Sequence, residues 1–69
     1  MATRRQKLTE VRKERGDLGT VAAELQISKT YLRLLENGTH KPGRDVMIRI
    51  SLYFNQPASV LFPDVFNVS

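Results

Sequence analysis

Two short stretches of helical periodicity, joined by a very tight turn, lie between residues 17 and 36. In the first stretch, residues 18–25, apolar side chains fall at positions i, i+3, i+4 and i+7, which form one full face of a helix. Asp17 precedes this stretch and Ser28 precedes the second, and both residue types cap helix N-termini. The second stretch extends to Glu36. Because only two residues separate the first stretch from the second cap, the chain must turn sharply between the two helices.

The remainder of the sequence also predicts helices. One helix is expected over about Thr3–Arg15, and another over residues 45–54, ending at Asn55, which tolerates a left-handed backbone. A fifth, short helix begins at Pro57. No stretch shows the alternation of apolar and polar residues that is typical of a strand. The chain is therefore predicted to form a single all-α domain of five helices over residues 1–69.

Size and composition exclude several classes of protein. A chain of 69 residues buries only a small core, and without cysteine it has no disulfide or thiolate metal site to supplement that core. Its single histidine, His40, has no nearby pair of carboxylates, so we predict no metal site, no cofactor, no catalytic residues and no enzymatic activity. No apolar run reaches the roughly 18 residues that span a bilayer, and no secretion signal opens the chain. We therefore expect a soluble, cytoplasmic protein.

Basic residues concentrate near the N-terminus. The formal net charge is +4, and residues 1–15 alone account for it, with six basic side chains against two acidic ones. Such a segment suits a polyanion such as nucleic acid, because lysine and arginine displace the counterions condensed on phosphates. A solvated helix face has the same composition, so charge alone leaves both interpretations open. The six basic residues are Arg4, Arg5, Lys7, Arg12, Lys13 and Arg15.

The residues around the tight turn resemble those of a known family. The run Val21–Ser28, the pair Tyr31-Leu32 and the run Leu35–Gly38 are similar, at the same mutual spacing, to the Cro/C1-type helix-turn-helix regulators of phages and bacteria. The resemblance covers about residues 8–62 and places the helix-turn-helix at about residues 17–36. It implies a compact, lambda-repressor-like fold in which the second helix crosses the DNA backbone and the third lies in the major groove. The implied function is transcription regulation at double-stranded DNA of a bacterial nucleoid.

Three residues of the third helix match positions at which members of this family contact bases. Leu32 and Leu35 take the inward positions of that helix. Lys29, Thr30 and Arg33 remain for the groove. Lysine and arginine donate hydrogen bonds to guanine, and the methyl group of threonine contacts the methyl group of thymine. In a helix outside such a motif, the same three residues would be an ordinary solvated face.

Polar residues near both helices match the phosphate contacts of the family. For Tyr31 the resemblance implies a ring packed against the second helix and a hydroxyl that reaches one phosphate. It also implies a partly buried ion pair between Arg12 and Glu36, which ties the third helix to the first and is structural. The predicted phosphate contacts are Thr20, Ser28, Tyr31, Asn37, Thr39, His40 and Lys41.

The chain departs from the family pattern at two positions that bear on the turn. Leu18 stands where many relatives carry a glutamine that contacts phosphate, so this contact is expected to be lost or replaced. Gln26 stands where relatives carry a residue such as glycine that accepts a left-handed backbone. A glutamine is strained in that conformation, so we expect a slightly reshaped turn.

Apolar residues near the C-terminus predict a protein interface. Relatives dimerise and read two half-sites about one helical turn apart, because one small domain makes too few contacts for tight specific binding. We therefore expect a homodimer that represses transcription by occupying a palindromic operator, with the tail of residues 63–69 at the interface. Alternatively, the tail folds back over the core of its own chain. The predicted interface residues are Leu52, Tyr53, Val60, Val65, Phe66 and Val68.

A second function is compatible with this fold. The domain could act on another regulator protein through its apolar C-terminal surface, as an antirepressor or an antitoxin-like partner. The outward positions of Lys29, Thr30 and Arg33 and the basic first helix favour the DNA-binding regulator, because a protein-binding relative needs neither. Nothing in the sequence indicates a small-molecule effector or an association with membranes.

Overall fold

Five helices joined by short turns form the part of the chain that the structure describes, residues 5–65. In this computed structural model, α1 covers Gln6–Arg15, α2 Leu18–Leu25, α3 Lys29–Asn37, α4 Arg44–Phe54 and α5 Ala58–Leu61. No strand occurs among the described residues. None of the helices described is long and apolar enough to cross a membrane. The predicted all-α class with five helices is confirmed.

Local capping fixes the ends of α2 and α3. The carboxylate of Asp17 accepts a hydrogen bond of 2.7 Å from the backbone N–H of Thr20. The hydroxyl of Ser28 accepts one of 3.0 Å from the backbone N–H of Tyr31. Gly38 ends α3 in the left-handed conformation, at φ 79°. Because these caps satisfy backbone groups that a helix leaves without partners, the two helices begin and end where the sequence predicts, within one residue.

Side chains from every helix meet in one apolar cluster at the centre of the domain. Leu32 and Leu35, the predicted inward residues of α3, are both fully buried. Full burial of one such side chain contributes about 1.5–3 kcal/mol, so this cluster holds α3 firmly against the other helices. The largest fully buried side chains among the described residues are Leu8, Val21, Leu25, Leu32, Leu35, Ile50, Leu61 and Phe62.

The first helix begins later than its sequence predicts. Arg5 lies outside α1, with φ −87° and ψ 83°, and its backbone N–H donates a 2.8 Å hydrogen bond to the carbonyl of Glu36. This bond draws the chain toward the end of α3 and away from a helical path. The helix thus begins at Gln6 and not at about Thr3, as the sequence predicted. Its start depends on Glu36, a residue far away in sequence. Residues 1–4 lie outside the described part of the chain.

The turn between α2 and α3 depends on a left-handed residue. Gln26 has φ 62° and ψ 38°, and its backbone N–H bonds to the carbonyls of Ala22 and Ala23. The chain thus takes the left-handed conformation at this position with a glutamine rather than a glycine. The expected strain is present, since a side chain with a Cβ in this region costs about 1–2 kcal/mol.

Replacement of Gln26 by glycine should therefore stabilise the domain. We expect Gln26→Gly to raise the free energy of unfolding by about 0.5–1 kcal/mol, because relief of the strain exceeds the added entropy of the unfolded chain. Equilibrium denaturation measures this change. Ala23→Gly, a glycine three residues earlier in α2, is the matched control and should lower the free energy of unfolding by about 1 kcal/mol. Equal losses from both variants would contradict the strain at Gln26.

Candidate nucleic-acid interface

The third helix has one buried face and one exposed face. Leu32 and Leu35 are buried, whereas Lys29, Thr30 and Arg33 are exposed. Because successive residues of an α-helix are rotated by about 100°, the three exposed residues lie within one arc of about 100°. The structure thus brings the three residues predicted to contact bases together on one outward face.

Leu34 adds an apolar side chain to this face and was not among the predicted site residues. It is half-exposed and does not pack against the apolar core cluster. Leu34 follows Thr30 by four residues, as Arg33 follows Lys29. The methyl group of Thr30 and the side chain of Leu34 thus form an apolar row on α3, and Lys29 and Arg33 form a cationic row beside it. The sequence did hold a signal for Leu34, because its spacing from Thr30 places both side chains on the same side of the helix.

The loop after α3 carries exposed polar side chains. Thr39, His40 and Lys41 are exposed, whereas Tyr31 is half-buried against the core. The rings of Tyr31 and His40 meet edge to face, with 6.4 Å between their centroids. The backbone N–H groups of Gly38 and Thr39 already bond to carbonyls of α3. The backbone N–H groups of Gly38 and Thr39 are therefore not free for an anion, and Thr39 offers its side-chain hydroxyl instead.

The other predicted phosphate contacts lie at helix ends. Thr20 is exposed in the first turn of α2, and Ser28 is exposed directly before α3. Both lie at the positive ends of helix dipoles, which suit an anion. Asn37, in contrast, is the last residue of α3 and half-buried. The structure thus places Asn37 at the opposite end of α3 from Ser28, next to the loop.

A buried ion pair ties α3 to α1. Arg12 Nε donates to Glu36 Oε2 at 2.8 Å, and Nη2 donates to Oε1 at 3.0 Å. The hydroxyl of Thr9 donates a third hydrogen bond to Oε1, at 3.1 Å. Glu36 is 2% exposed, and its hydrogen bonds raise the pKa of Arg12. This geometry gives both residues a structural role, because the guanidinium of Arg12 faces α3.

Arg5 joins three parts of the chain that are far apart in sequence. Its Nε and Nη2 donate to Oδ1 and Oδ2 of Asp64, at 2.9 and 2.8 Å. Its Nη1 donates to the carbonyl oxygens of Leu35, at 2.6 Å, and His40, at 2.9 Å. The guanidinium carbon lies 5.3 Å from the centroid of the Phe62 ring, and Arg5 is only 3% exposed. We call the contacts of Arg5 with Asp64, Leu35 and His40 the Arg5 clasp.

The basic segment at the N-terminus is less available to a polyanion than its sequence suggested. Arg5 and Arg12 are engaged as described, and Arg15 lies 4.8 Å from the Tyr53 ring centroid while donating to the Tyr53 carbonyl at 2.8 Å. Three of the six basic residues, Arg5, Arg12 and Arg15, are thus engaged within the protein, whereas Lys7 and Lys13 are exposed and Arg4 lies outside the described residues. Within the described residues, the exposed cations that form neither an ion pair nor a side-chain hydrogen bond are Lys7, Lys13, Lys29, Arg33, Lys41 and Arg44. Four of the six, Lys29, Arg33, Lys41 and Arg44, lie between the start of α3 and the start of α4.

Three apolar side chains remain exposed on α4 and α5. Leu52 is 76% exposed and Ile48 is 48% exposed, and they lie four residues apart on one side of α4. Val60 on α5 is 39% exposed. Leu52 and Val60 were predicted as interface residues, whereas Ile48 was not. Leu52 also lines a shallow depression between the end of α4 and the start of α5.

Two other residues predicted for the interface turn partly inward. Val65 and Tyr53 both pack, half-buried, against the core of their own chain. The hydroxyl of Tyr53 also donates a hydrogen bond to the carboxylate of Glu24. Val65 therefore packs against its own chain, which agrees with the alternative prediction for the tail at this one residue. Phe66 and Val68 lie outside the described residues.

Comparison with known families now assigns the fold. The helix-turn-helix domain family matches residues 6–64, and the chain belongs to this family. The domain is of the Cro/C1 type, as the sequence resemblance implied. This family indicates a DNA-binding regulator. Comparisons with curated proteins and with solved structures give no significant match. Between Arg5 and Val65, no three metal-ligating side chains lie close enough together to hold an ion.

Proposed function

We propose that the protein regulates transcription by placing α3 in the major groove of double-stranded DNA, in the cytoplasm of a bacterial cell. The observation that carries this proposal is the division of α3 into two faces. Its inward leucines fix the helix to the core, while Lys29, Thr30 and Arg33 project outward together. The major groove accommodates an α-helix, and the two cations are suited to guanine O6 and N7. The function needs no cofactor and no catalytic step.

Side chains around α3 supply the contacts to phosphates. Lys41, in the loop after α3, and Arg44, the first residue of α4, are exposed cations. Each phosphate that a cation neutralises releases a counterion, so these contacts strengthen binding to every sequence alike. The proposed phosphate contacts are Thr20, Ser28, Tyr31, Asn37, Thr39, His40 and Lys41, with Arg44 added from the structure.

The regulator acts as a homodimer that represses by occupying a palindromic operator. One domain of this size makes few base contacts, and a second copy doubles them over two half-sites. The exposed apolar residues of α4 and α5 support an interface there, because association would remove their surface from water. The proposed interface includes Ile48, Leu52 and Val60. Val65 and Phe66 were also predicted for it, but Val65 packs against its own core and Phe66 lies outside the described residues.

The exposure of Leu52 also supports a second candidate function. An antirepressor or antitoxin-like protein would use this apolar surface to bind another regulator. Such a protein has no need of the exposed cations on α3, which is why we favour DNA binding.

Selection of bound sequences from random duplex DNA, at a stated salt concentration, tests the two functions against each other. An enriched palindrome would support both the operator and the homodimer. An enriched single half-site would support DNA reading by a monomer and contradict the homodimer. A folded protein that enriches no sequence would favour the regulator-binding alternative.

Thymine methyl groups are the expected partners of the apolar row formed by Thr30 and Leu34. Replacement of one thymine in the selected operator by deoxyuridine removes only the methyl group. We expect about fourfold weaker binding at a contacted position, which corresponds to about 0.8 kcal/mol for a buried methyl-sized group. Competition titration with each substituted duplex measures this loss.

The variant Leu34→Ala tests whether Leu34 is the residue that contacts the thymine methyl group. In that variant the deoxyuridine substitution should have little further effect, because the methyl group no longer has an apolar partner. An undiminished loss in Leu34→Ala would assign the methyl contact to a different residue. Unchanged binding of wild-type protein to every deoxyuridine duplex would contradict the apolar row as a reading element.

A further inference from the structure

We infer that the Arg5 clasp positions the loop after α3 for contact with phosphates, so that Arg5 and Asp64 are positioning residues for DNA binding. The inference rests on the proposed function, because it assigns a role in that same interface. Arg5 does not itself need to contact DNA, since it is 3% exposed and its hydrogen bonds lie within the protein.

Arg5 caps the C-terminal end of α3 from outside the helix. The last carbonyls of a helix have no partner within it. The backbone N–H of Arg5 donates to the Glu36 carbonyl at 2.8 Å, and its Nη1 donates to the Leu35 carbonyl at 2.6 Å. A cation at this end of a helix also interacts favourably with the helix dipole. One residue thus fixes the end from which the loop departs.

The same Nη1 group also fixes the far side of the loop. It donates to the carbonyl of His40 at 2.9 Å, while it holds the carbonyl of Leu35. The two carbonyls lie five residues apart in sequence, so one guanidinium nitrogen links the last turn of α3 to the loop residue before Lys41. The direction in which Lys41 leaves the domain therefore depends on Arg5.

Asp64 sets the orientation of the guanidinium. Both of its carboxylate oxygens accept hydrogen bonds from Arg5, and this two-point contact defines the plane of the guanidinium. The Arg5 hydrogen bonds keep the pKa of Asp64 below its ordinary value, so the carboxylate is ionised at neutral pH. Loss of either partner would release the His40 carbonyl and the loop with it.

Long-range electrostatics alone predicts the opposite effect for Asp64. Lys41 is near enough to Asp64 to help lower the pKa of that carboxyl. Removal of a negative charge close to a DNA-contacting lysine should strengthen binding to a polyanion. The clasp predicts weaker binding for the same variant, so the sign of the change distinguishes the two effects.

The test compares Asp64→Asn and Arg5→Lys with Glu14→Gln, which makes the same charge change as Asp64→Asn at an exposed residue of α1. Circular dichroism first establishes a temperature at which every variant is folded. We expect both clasp variants to bind the selected operator and random duplex about three- to tenfold more weakly, with unchanged base preference. Glu14→Gln should bind as tightly as wild type or slightly tighter.

A double-mutant cycle with Lys41→Ala provides a readout that a merely structural role would not change. If the clasp acts by orienting Lys41, then Lys41→Ala should reduce the affinity for DNA less in the Arg5→Lys variant than in the wild-type protein. Folded clasp variants with wild-type or tighter affinity would overturn the inference, as would losses that simply add in the cycle. Wild-type protein that binds no duplex would instead overturn the proposed function, and the clasp's role in binding with it.

Discussion

Arg12→Ala should lower the free energy of unfolding by about 3–5 kcal/mol, because it leaves the buried carboxylate of Glu36 without its charged partner. Only the hydrogen bond from Thr9 would remain at that carboxylate. In a domain of this size each kcal/mol shifts the Tm by about 4–8 °C, so the Tm should fall by at least about 12 °C. Thermal and denaturant unfolding measure the two quantities.

Two controls separate the buried charge from the loss of a side chain. Glu14→Ala, at an exposed position of the same helix, should change the free energy of unfolding by less than about 0.5 kcal/mol. The double variant Arg12→Met/Glu36→Leu removes both charges and should be far less destabilised than Arg12→Ala. A loss below about 1 kcal/mol in Arg12→Ala would contradict a structural role for the ion pair.

Arg33→Ala should reduce affinity for the selected operator by about 10- to 100-fold, because a specific contact of arginine with guanine is worth about 1–3 kcal/mol. Random duplex should lose less, so the ratio of specific to nonspecific affinity falls. Repeated selection with the variant should show relaxed preference at one or two base pairs. Equal losses on both duplexes would contradict the base-reading role of Arg33.

Lys41→Ala is the matched comparison for Arg33→Ala, since each variant removes one exposed cation. Because Lys41 is proposed to contact a phosphate, its loss should weaken binding to operator and random duplex alike. The slope of log affinity against log salt should become shallower by about one unit. A selective loss on the operator would assign Lys41 to base reading instead.

The elements best predicted from sequence are those determined by neighbouring residues. The caps at Asp17 and Ser28 and the stop at Gly38 act within a few residues, so composition and spacing identify them. Helical periodicity identifies Leu32 and Leu35 as the inward residues of α3. The same periodicity therefore places Lys29 and Arg33 on the outer face. The ends of α2 and α3 and the outward positions of α3 were therefore both predictable.

The role of Arg5 could not be predicted, because its partners lie 30 to 59 residues away in sequence. In composition it was simply one more basic residue, and only the packed fold shows that it is buried. The same holds for Arg15, whose partner Tyr53 lies 38 residues away. The net charge near the N-terminus therefore suggested more free cations than the folded protein presents there.

The two faces of α3 have separate roles. The buried face stabilises the domain, and the exposed face is proposed to contact DNA. With nine residues, α3 is shorter than the roughly 12–15 residues that an isolated helix needs, so a peptide of this sequence would not hold its shape. Inside the domain, packing of the inward side chains keeps α3 helical. Substitution of an outward residue should therefore change the free energy of unfolding by less than about 0.5 kcal/mol. Under the proposed function, substitution at positions 29, 30, 33 and 34 should therefore change the DNA sequence that is bound while the free energy of unfolding stays nearly constant.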